Sequence, residues 1–556
     1  MATQNNIPIL HRKEWQMMTP APVASAAGAF IIAPGSGYRD VAMYVTSATV
    51  QYIYSHNEDG FLQINGAGVA GTFGAGSCGA YSPWSIAYTA TGGTTTTVTV
   101  AAATHNIASS AVGKTIEFIS SGTNSGLRRK ITSVDNRAGA GTITITFDYA
   151  VATAVLNAHT FRIANGRFWF LNGGVVASGS WRHFDKSTLI WSAALTVTNL
   201  PANITVESKL VSTARHANVS GNGIATSGST TTLVDTTQNW TVNTYAGQYL
   251  TIVDGTGEGQ FVKIVSNTAT TLTFAAITTA PDATSIYQLS EGKPAYAIGV
   301  ATAATATTLT NSAKTWTTNQ WTNYQVRIIS GTGIGQIRTI SSNTGTVLTV
   351  PTWTVTPDTT SVYVIEGNED FIYFIGNNVI TMYRYSISAN TWTVMAPTVA
   401  RSGVPAAGVC ADWIGVTGNT TWANESDIQD GRYIYSTRGN ISAIIDRFDI
   451  AGGTAGAGAW SVVTYNGTGG IETFTTGSSA FQLGEWLYLR KDATNRFFKF
   501  NIPGNLMYPF NTNTYTDGAA VVGQKMWVKS LDSTENISWL YSLQNTGTAL
   551  HRIMII

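Results

Sequence analysis

The sequence predicts an all-β protein built from repeated hairpins, and three observations carry that prediction. Thr, Val, Ile and aromatic residues occur in short runs that Gly and Asn interrupt, as strands and turns do. Only 11% of the 556 residues are charged, whereas aromatic residues also reach 11% and include 16 Trp. A disordered chain would lack such core-forming side chains. No stretch shows the period of a long amphipathic helix.

The charge balance and the apolar pattern limit what the protein is expected to contact. The formal net charge is +1, so no strong field would attract nucleic acid or an anionic membrane. No apolar run approaches the roughly 18 residues that a membrane-spanning helix needs. The charged residues 11–14 (HRKE) occupy the region where a signal peptide would be apolar. We therefore expect no membrane insertion, no specific nucleic-acid binding and no export by a signal peptide.

One repeat consists of two aromatic strands joined by a turn and followed by a strand that contains Trp. Alternation of large residues with period two, with Gly and Asn between the strands, is typical of antiparallel hairpins. Four stretches carry this pattern, at residues 166–195, 369–397, 431–463 and 484–504. Small-residue runs at 71–81 and 405–413 predict inner strands that precede such hairpins. They place Cys78 and Cys410 at equivalent positions, so we expect two buried thiols and no disulfide.

These hairpins resemble the kelch repeat, in which each unit is one four-stranded blade of a β-propeller. The residues that carry the resemblance are Gly173-Gly174, Phe184-Asp185, Trp191, Tyr385, Trp392, Phe448, Asp449 and Trp460. The resemblance implies a six-bladed propeller, with five to seven blades as the range. The implied blades cover residues 27–64, 71–195, 205–395, 403–465, 475–512 and 518–556, the last completed by the N-terminal strand.

The last repeat unit lacks the outer strand that a complete blade would have. The segment ILHRKEWQMM at residues 9–18 has the Trp-bearing character of such a strand. We predict that it pairs with the C-terminal strand and brings Trp15 next to Leu550. A sheet closed on itself in this way leaves no unpaired inner edge and fastens the ring without a covalent bond.

A second repeat explains why two of the implied blades exceed the roughly 40–50 residues of a blade. Copies at 226–289 and 301–365 align Trp240 with Trp316 and Gly255 with Gly331, and a degenerate copy occupies about 89–165. We predict that each copy is an antiparallel β-module of five or six strands.

Both insertions interrupt the connection between the inner strand of a blade and its aromatic hairpin. All three modules are therefore expected to project from one face of the propeller. The chain is predicted to divide into propeller segments at 1–88, 166–220 and 367–556 and modules at 89–165, 221–292 and 293–366.

The sequence contains few candidates for chemistry. The Gly-rich segments at 255–259 and 331–335 resemble phosphate-binding loops superficially, but β-type sequence flanks both, and we interpret them as hairpin turns. His183 and Asp185 share one strand face near a polar turn, where solvated side chains are expected. We predict no catalytic, metal-binding or cofactor-binding residues. The candidates for contact with a glycan or a partner are Trp240, Trp316 and Trp321.

The opening PILHRKEWQMMTPAP and the module sequences GTGIGQIRTISSNTGTVLTV and TPDTTSVYVIEG resemble those of structural proteins in tailed-bacteriophage particles. The resemblance implies a non-enzymatic virion component, assembled in the host cytoplasm, that oligomerises in the tail, collar or vertex, with the tail nozzle preferred. Its partners would be further copies of itself and other virion proteins. Two alternatives stay open: a receptor- or glycan-binding tail fibre or spike protein that contacts host cell-surface glycan, and a propeller hydrolase or lyase acting on polysaccharide.

Overall fold

The structure, a computed structural model, is all-β, and this confirms the all-β part of the prediction. Among the described residues, strands and turns are joined only by two short 3-10 segments, Ser109–Ala111 and Gly122–Asn124. No helix in that part of the chain has the length and apolar character to cross a membrane. The described part is residues 15–555 without 25–29, 34–40, 47–49, 57, 65–72, 106, 138–140, 152, 174–180, 187, 202–203, 205–206, 214–218, 259, 291–294, 369, 378, 406–408, 415–430, 440–441, 468–472, 476, 484, 492–495, 513–525, 530–537 and 545–546.

In the described part of the chain, six antiparallel sheets share one design, in which four strands lie side by side in the order of the chain, except that the fourth strand of sheet 6 is the first strand of the chain. Strands are numbered along the chain and these sheets from 1 to 6. Sheet 1 contains β2 (Phe30–Ile32), β3 (Val41–Val45), β4 (Gln51–Ser55) and β5 (Gly60–Ile64). Sheet 2 contains β6 (Gly74–Ser82), β14 (Arg167–Gly173), β15 (Trp181–Asp185) and β16 (Ile190–Trp191). Sheet 3 contains β17 (Lys209–Ser212), β33 (Phe371–Ile375), β34 (Met382–Ser386) and β35 (Thr391–Val394).

The second half of the chain forms the other three sheets. Sheet 4 contains β36 (Ala411–Ile414), β37 (Tyr433–Gly439), β38 (Ser442–Asp449) and β39 (Ala459–Val463). Sheet 5 contains β41 (Ser479–Leu483), β42 (Trp486–Lys491), β43 (Arg496–Asn501) and β44 (Leu506–Thr512), with β40 (Asn466–Gly467) added parallel to β44. Sheet 6 contains β45 (Met526–Lys529), β46 (Ser538–Leu543), β47 (Leu550–Ile555) and β1 (Gln16–Met17).

The first strand of each sheet contacts the first strands of two other sheets. These contacts follow the cyclic order β2, β6, β17, β36, β41, β45 and back to β2. Small residues are needed where these strands meet. A Cβ added to Gly79 on β6 would lie 2.3 Å from the side chain of Ile32 on β2.

The two ends of the described chain pair in sheet 6. Gln16 lies opposite Arg552 in the antiparallel pairing of β1 with β47, and Arg552 Nε donates to Gln16 Oε1 at 3.1 Å. The Met18 amide donates to the Leu550 carbonyl at 2.9 Å. The predicted pairing of the first strand with the last is therefore present, although residues 9–14 of the predicted strand lie outside the described residues.

Hydrophobic clusters fill the space between neighbouring sheets. Between sheets 2 and 3, the rings of Trp169, Trp181, Tyr385 and Trp392 pack together, and the Trp181 and Trp392 centroids are 5.0 Å apart. The aromatic residues that identify the hairpins in the sequence are thus the residues that join one sheet to the next. Aromatic pairs of this kind add about 0.5–1.5 kcal/mol beyond the area that they bury.

The inserted segments form three further β units. Module 1 contains β7 (Tyr88–Thr89), β8 (Gly92–Gly93), β9 (Thr97–Ala101), β10 (Thr115–Ser120), β11 (Arg128–Asp135), β12 (Thr142–Phe147) and β13 (Thr160–Ile163). Module 2 contains β18 (Val219–Ile224), β19 (Ser227–Ser229), β20 (Thr232–Val234), β21 (Tyr249–Asp254), β22 (Phe261–Asn267), β23 (Thr271–Phe274) and β24 (Ile286–Ser290). Module 3 contains β25 (Ala295–Val300), β26 (Ala303–Thr305), β27 (Thr308–Thr310), β28 (Gln325–Ser330), β29 (Ile337–Thr339), β30 (Ser342–Asn343), β31 (Val347–Thr349) and β32 (Val362–Glu366).

The modules contain more strands than the sequence predicts. Among the described residues, modules 1 and 2 have seven strands each and module 3 has eight. The predicted number is lower because strands of two or three residues escape a search for periodicity. Modules 1 and 2 have the same strand order, β7-β13-β10-β11-β12-β9-β8 in one and β18-β24-β21-β22-β23-β20-β19 in the other. Module 1 follows β6 and modules 2 and 3 follow β17, so both insertions occupy the connection between the first and second strands of a sheet.

Candidate functional site

The three tryptophans predicted to contact a glycan have different surroundings. Trp321 is fully buried, and its ring packs against Tyr324 with centroids 5.6 Å apart. A buried ring offers no surface to a sugar, so the prediction is wrong for Trp321. Trp240 and Trp316 are half-buried at the same position of modules 2 and 3, and contact there stays a prediction.

Trp316 lines a groove between module 3 and sheet 4. The groove has a volume of about 600 Å³, and we call it the module groove. Its module wall is the turn between β27 and β28, at residues 313–317 with Gln320. The facing wall comes from Arg432, Asp449 and nearby residues of sheet 4, together with the segment 398–399 that follows β35.

The charged groups of the module groove are held by hydrogen bonds. Arg432 and Asp449 form a bidentate ion pair, with Nε–Oδ1 and Nη2–Oδ2 distances both of 2.8 Å. Burial is the largest single influence on the pKa of Arg432 and would lower it, but the hydrogen bond and the charge of Asp449, with the nearby Tyr433 and Tyr324, together raise it. Lys314 Nζ donates to the Ile298 carbonyl at 3.0 Å, and burial lowers the pKa of this ammonium to about 8. Each of these charged groups is therefore already held by a partner within the chain.

A second cavity, of about 250 Å³, lies where modules 1 and 3 meet sheet 3. Arg162 of module 1 joins two carboxylates there, with Nε 2.7 Å from Glu117 Oε2 and Nη1 2.8 Å from Asp370 Oδ1. Its guanidinium also lies 4.2 Å from the centre of the Trp84 ring. This arrangement ties module 1 to sheet 3, and both carboxylates are already used by the arginine.

A third cavity, of about 70 Å³, is lined by the first strands of five sheets. Glu207, Lys209 and Asp412 bring two carboxylates and an ammonium to it, and all three residues are buried. The Asp412 carboxylate accepts a hydrogen bond from the Gln482 amide at 2.8 Å, and Glu207 accepts one from the Gly477 amide. These bonds join sheets 3, 4 and 5 where their first strands meet.

Both cysteines are free and buried, as the sequence predicts. Burial raises the pKa of each thiol, Cys78 and Cys410, to about 12. A thiol of that kind is not a nucleophile at neutral pH. Among the residues that the structure describes, no three His, Cys, Asp or Glu side chains come together as metal ligands would.

Other sequence candidates also have structural roles. His183 is not a solvated side chain as predicted, because its ring packs 4.9 Å from that of Trp169, and burial lowers its pKa well below the usual value. Gly255 and Gly331 adopt φ values of 78° and 76°, as expected for hairpin turns. Gly174 and Gly259, which belong to two of the sequence motifs, lie outside the described residues.

Comparison with known proteins gives only distant likenesses. The sequence matches no protein-family model and no curated protein. Phage phi92 endosialidase is similar over 98% of this chain and 69% of its own, at 11% identity and a TM-score of 0.29. Myxococcus xanthus glutaminyl cyclase matches over 40% and 88%, at 8% identity and a TM-score of 0.20. An auxiliary nutrient binding protein from Bacteroides ovatus matches over 83% and 95%, at 8% identity and a TM-score of 0.23. Likenesses this weak carry no argument about this chain.

Sequence reasoning missed the groups that face Trp316 across the module groove. Arg432 and Asp449 belong to a hairpin that the sequence identifies as part of a repeat and not as part of a site, and Lys314 has no neighbouring motif. One signal was available, since Lys314 occurs where the aligned repeat of module 2 has Gln238. Because the two modules share the repeat but differ at this position, the lysine is expected to have a role specific to module 3.

Proposed function

We propose that the six sheets are the blades of a kelch-like β-propeller, and that the protein is a non-enzymatic structural component of a tailed-phage virion. The cyclic contacts of the first strands and the pairing of β1 with β47 support the propeller. The sequence resemblance to phage structural proteins supports the virion role. A position in the tail, collar or vertex, with the tail nozzle preferred, belongs to the same proposal.

The observation that carries the structural role is a set of exposed apolar side chains on outer strands. The fourth strand of five sheets bears one, between 49% and 78% exposed: Met17, Leu62, Ile190, Val394 and Val462. The fourth strand is also the last strand of its sheet, except in sheet 5, where β40 is added, and on β35 and β39 its edge is partly paired through the Trp392 and Trp460 amides. Exposed edges with apolar side chains are surfaces on which other chains bind. With a net charge of +1, such contacts would depend on apolar and hydrogen-bonded area.

Lysine substitutions on the outer strands test this role. A variant with Leu62→Lys, Ile190→Lys and Val394→Lys should stay folded, because the three side chains are exposed. It should lose the oligomers that sedimentation velocity detects for the unmodified protein, because desolvating three ammonium groups opposes association. Val355→Lys changes an exposed apolar residue of module 3 and should leave assembly intact. An unmodified protein that stays monomeric and binds no purified virion protein would contradict the proposal.

The alternatives have tests of their own. A hydrolase or lyase would release reducing sugars from host polysaccharide, and it would need carboxylates other than Glu117 and Asp370, which hold Arg162. The receptor role would gain support if deletion of residues 226–365 left particle assembly intact but abolished adsorption to the host.

A further inference from the structure

We propose that the cavity where the first strands of five sheets meet binds a small monovalent carboxylate through the Lys209 ammonium. We call it the central cavity, and its volume is about 70 Å³. One buried water molecule needs roughly 10–15 Å³, so the cavity has room for a ligand the size of a few waters, such as acetate. The proposal goes beyond the virion role and does not depend on it, because the site lies inside one chain.

The cationic part of the site is Lys209, the first residue of β17. Lys209 is 5% exposed and lines the central cavity. Burial raises the pKa of the Cys78 and Cys410 thiols, and the Lys209 ammonium opposes that rise in both. The ammonium therefore lies near sheet 2, which contains Cys78, and also near the start of sheet 4. This position agrees with the contacts that β17 makes with β6 and β36.

The charge of Lys209 is not compensated by the described part of the chain. The ammonium forms neither a hydrogen bond nor an ion pair with any residue of that part. Glu207 and Asp412 line the same cavity without forming an ion pair with Lys209. Their carboxylates accept hydrogen bonds from backbone amides, those of Gly477 and Gln482. A buried ammonium without an anionic partner is costly, so a bound anion would stabilise it.

The walls of the central cavity select among anions. Phe30, Ile32 and Leu210 line it and are buried, so much of the wall is apolar. A short carboxylate can place its oxygens at the ammonium and its alkyl group against this wall. Phosphate or sulfate would leave oxygens without donors there, which is unfavourable. The Glu207 and Asp412 carboxylates also oppose a second negative charge on the ligand.

The site is formed before any ligand binds. Lys209 lies opposite Ile375 in the antiparallel pairing of β17 with β33, and this pairing fixes its backbone. The hydrogen bond from the Gly477 amide to the Glu207 carboxylate holds the residues just before β17. A preformed site loses little conformational entropy on binding, which matters for a ligand that can make only a few contacts.

Equilibrium dialysis of the full chain with radiolabelled acetate tests the proposal. Binding should be saturable, and acetamide, which has the shape of acetate without its charge, should compete about tenfold more weakly or worse. Lys209→Met removes the charge from a side chain of similar length and should weaken acetate binding by about tenfold or more. This variant should not lower the midpoint of thermal unfolding, because the ammonium has no partner to lose.

Lys263→Met is the matched control, since it removes another buried lysine and lies in module 2, outside the central cavity. It should leave acetate binding unchanged. Ala411→Leu keeps Lys209 but places a larger side chain in the wall of the cavity, which Ala411 lines, and it should also weaken binding. Circular dichroism should show that the variants are folded.

The proposal is overturned if acetate shows no saturable binding at millimolar concentration. It is also overturned if acetamide or chloride competes as well as unlabelled acetate does, or if the Lys209→Met and Lys263→Met variants bind acetate equally well. A Lys209→Met variant that fails to fold would show that the ammonium has a partner within the chain, and this result would equally contradict the proposal.

Discussion

Replacing Arg162 by Met should loosen module 1 from sheet 3. Arg162 is 5% exposed, and its guanidinium holds the Glu117 and Asp370 carboxylates at 2.7 and 2.8 Å. Removing one partner of a buried ion pair costs about 3–5 kcal/mol, because the other charge stays buried. Asp370 keeps hydrogen bonds from Ser388, and Glu117 keeps Arg128 at 3.8 Å. We therefore expect the lower end, about 3 kcal/mol.

Native-state hydrogen exchange measures this loss at the contact itself. The Ala87 amide donates to the Ser388 carbonyl at 3.3 Å, between the start of module 1 and sheet 3. A loss of about 3 kcal/mol makes this amide exchange roughly a hundredfold faster. The Met18 amide in sheet 6 should keep its rate.

The matched control is Arg137→Met, which removes a solvent-exposed pair with Asp135 whose N–O distance is 2.7 Å. Exposed pairs contribute little, so both amides should exchange as in the unmodified protein. The reasoning is refuted if the Ala87 amide of the Arg162→Met variant keeps its original rate, or if the Ala87 and Met18 amides accelerate equally.

Three further predictions concern the thiols, the turns and one histidine. Cys78 and Cys410 should not react with Ellman's reagent in the folded protein at pH 8, since the pKa of each is about 12, and should react once urea unfolds the chain. Gly255→Ala should lower the free energy of unfolding of module 2, measured by thermal unfolding, by more than about 1 kcal/mol, because φ is 78° and the added Cβ would lie 2.0 Å from a backbone oxygen. In the control variant Gly141→Ala the added Cβ would meet no atom within 4 Å, so this free energy should not fall. The pKa of His183 is lowered in the folded state, so the unfolded chain binds more protons below about pH 6.5 and stability should fall on acidification. Denaturant unfolding should show His183→Gln gaining stability relative to the unmodified protein as the pH decreases, and a difference independent of pH would contradict this.

The sheets are predictable from the sequence because their signal is local. In a strand, burial alternates with period two, so each hairpin shows its own pattern regardless of the rest of the chain. β34 and β38 lie within the predicted stretches 369–397 and 431–463 for this reason. The pairing of β1 with β47 is predictable because the last repeat unit lacks its outer strand. The first residues of the chain have the Trp-bearing character of such an outer strand.

The sites are not predictable in the same way, because they depend on how distant segments dock. Trp316 faces Arg432 only because module 3 packs on sheet 4, and no local pattern specifies that contact. The ion pair of Arg162 with Asp370 spans 208 residues of sequence. Tertiary packing, which the period of a strand does not encode, decides each case.

An engineered disulfide tests the central claim, that the two chain ends complete a ring of six sheets, most directly. Gln16 and Arg552 lie opposite each other and their side chains are hydrogen-bonded, so Gln16→Cys with Arg552→Cys should form a disulfide when the folded protein is oxidised. Thr393→Cys with Arg552→Cys should not, because Thr393 lies on β35 of sheet 3, which is not a neighbour of sheet 6, and the buried Cys78 and Cys410 should stay free. Peptide mapping by mass spectrometry that finds the 16–552 cross-link in the monomer agrees with the ring. A folded monomer in which that cross-link fails to form would contradict it.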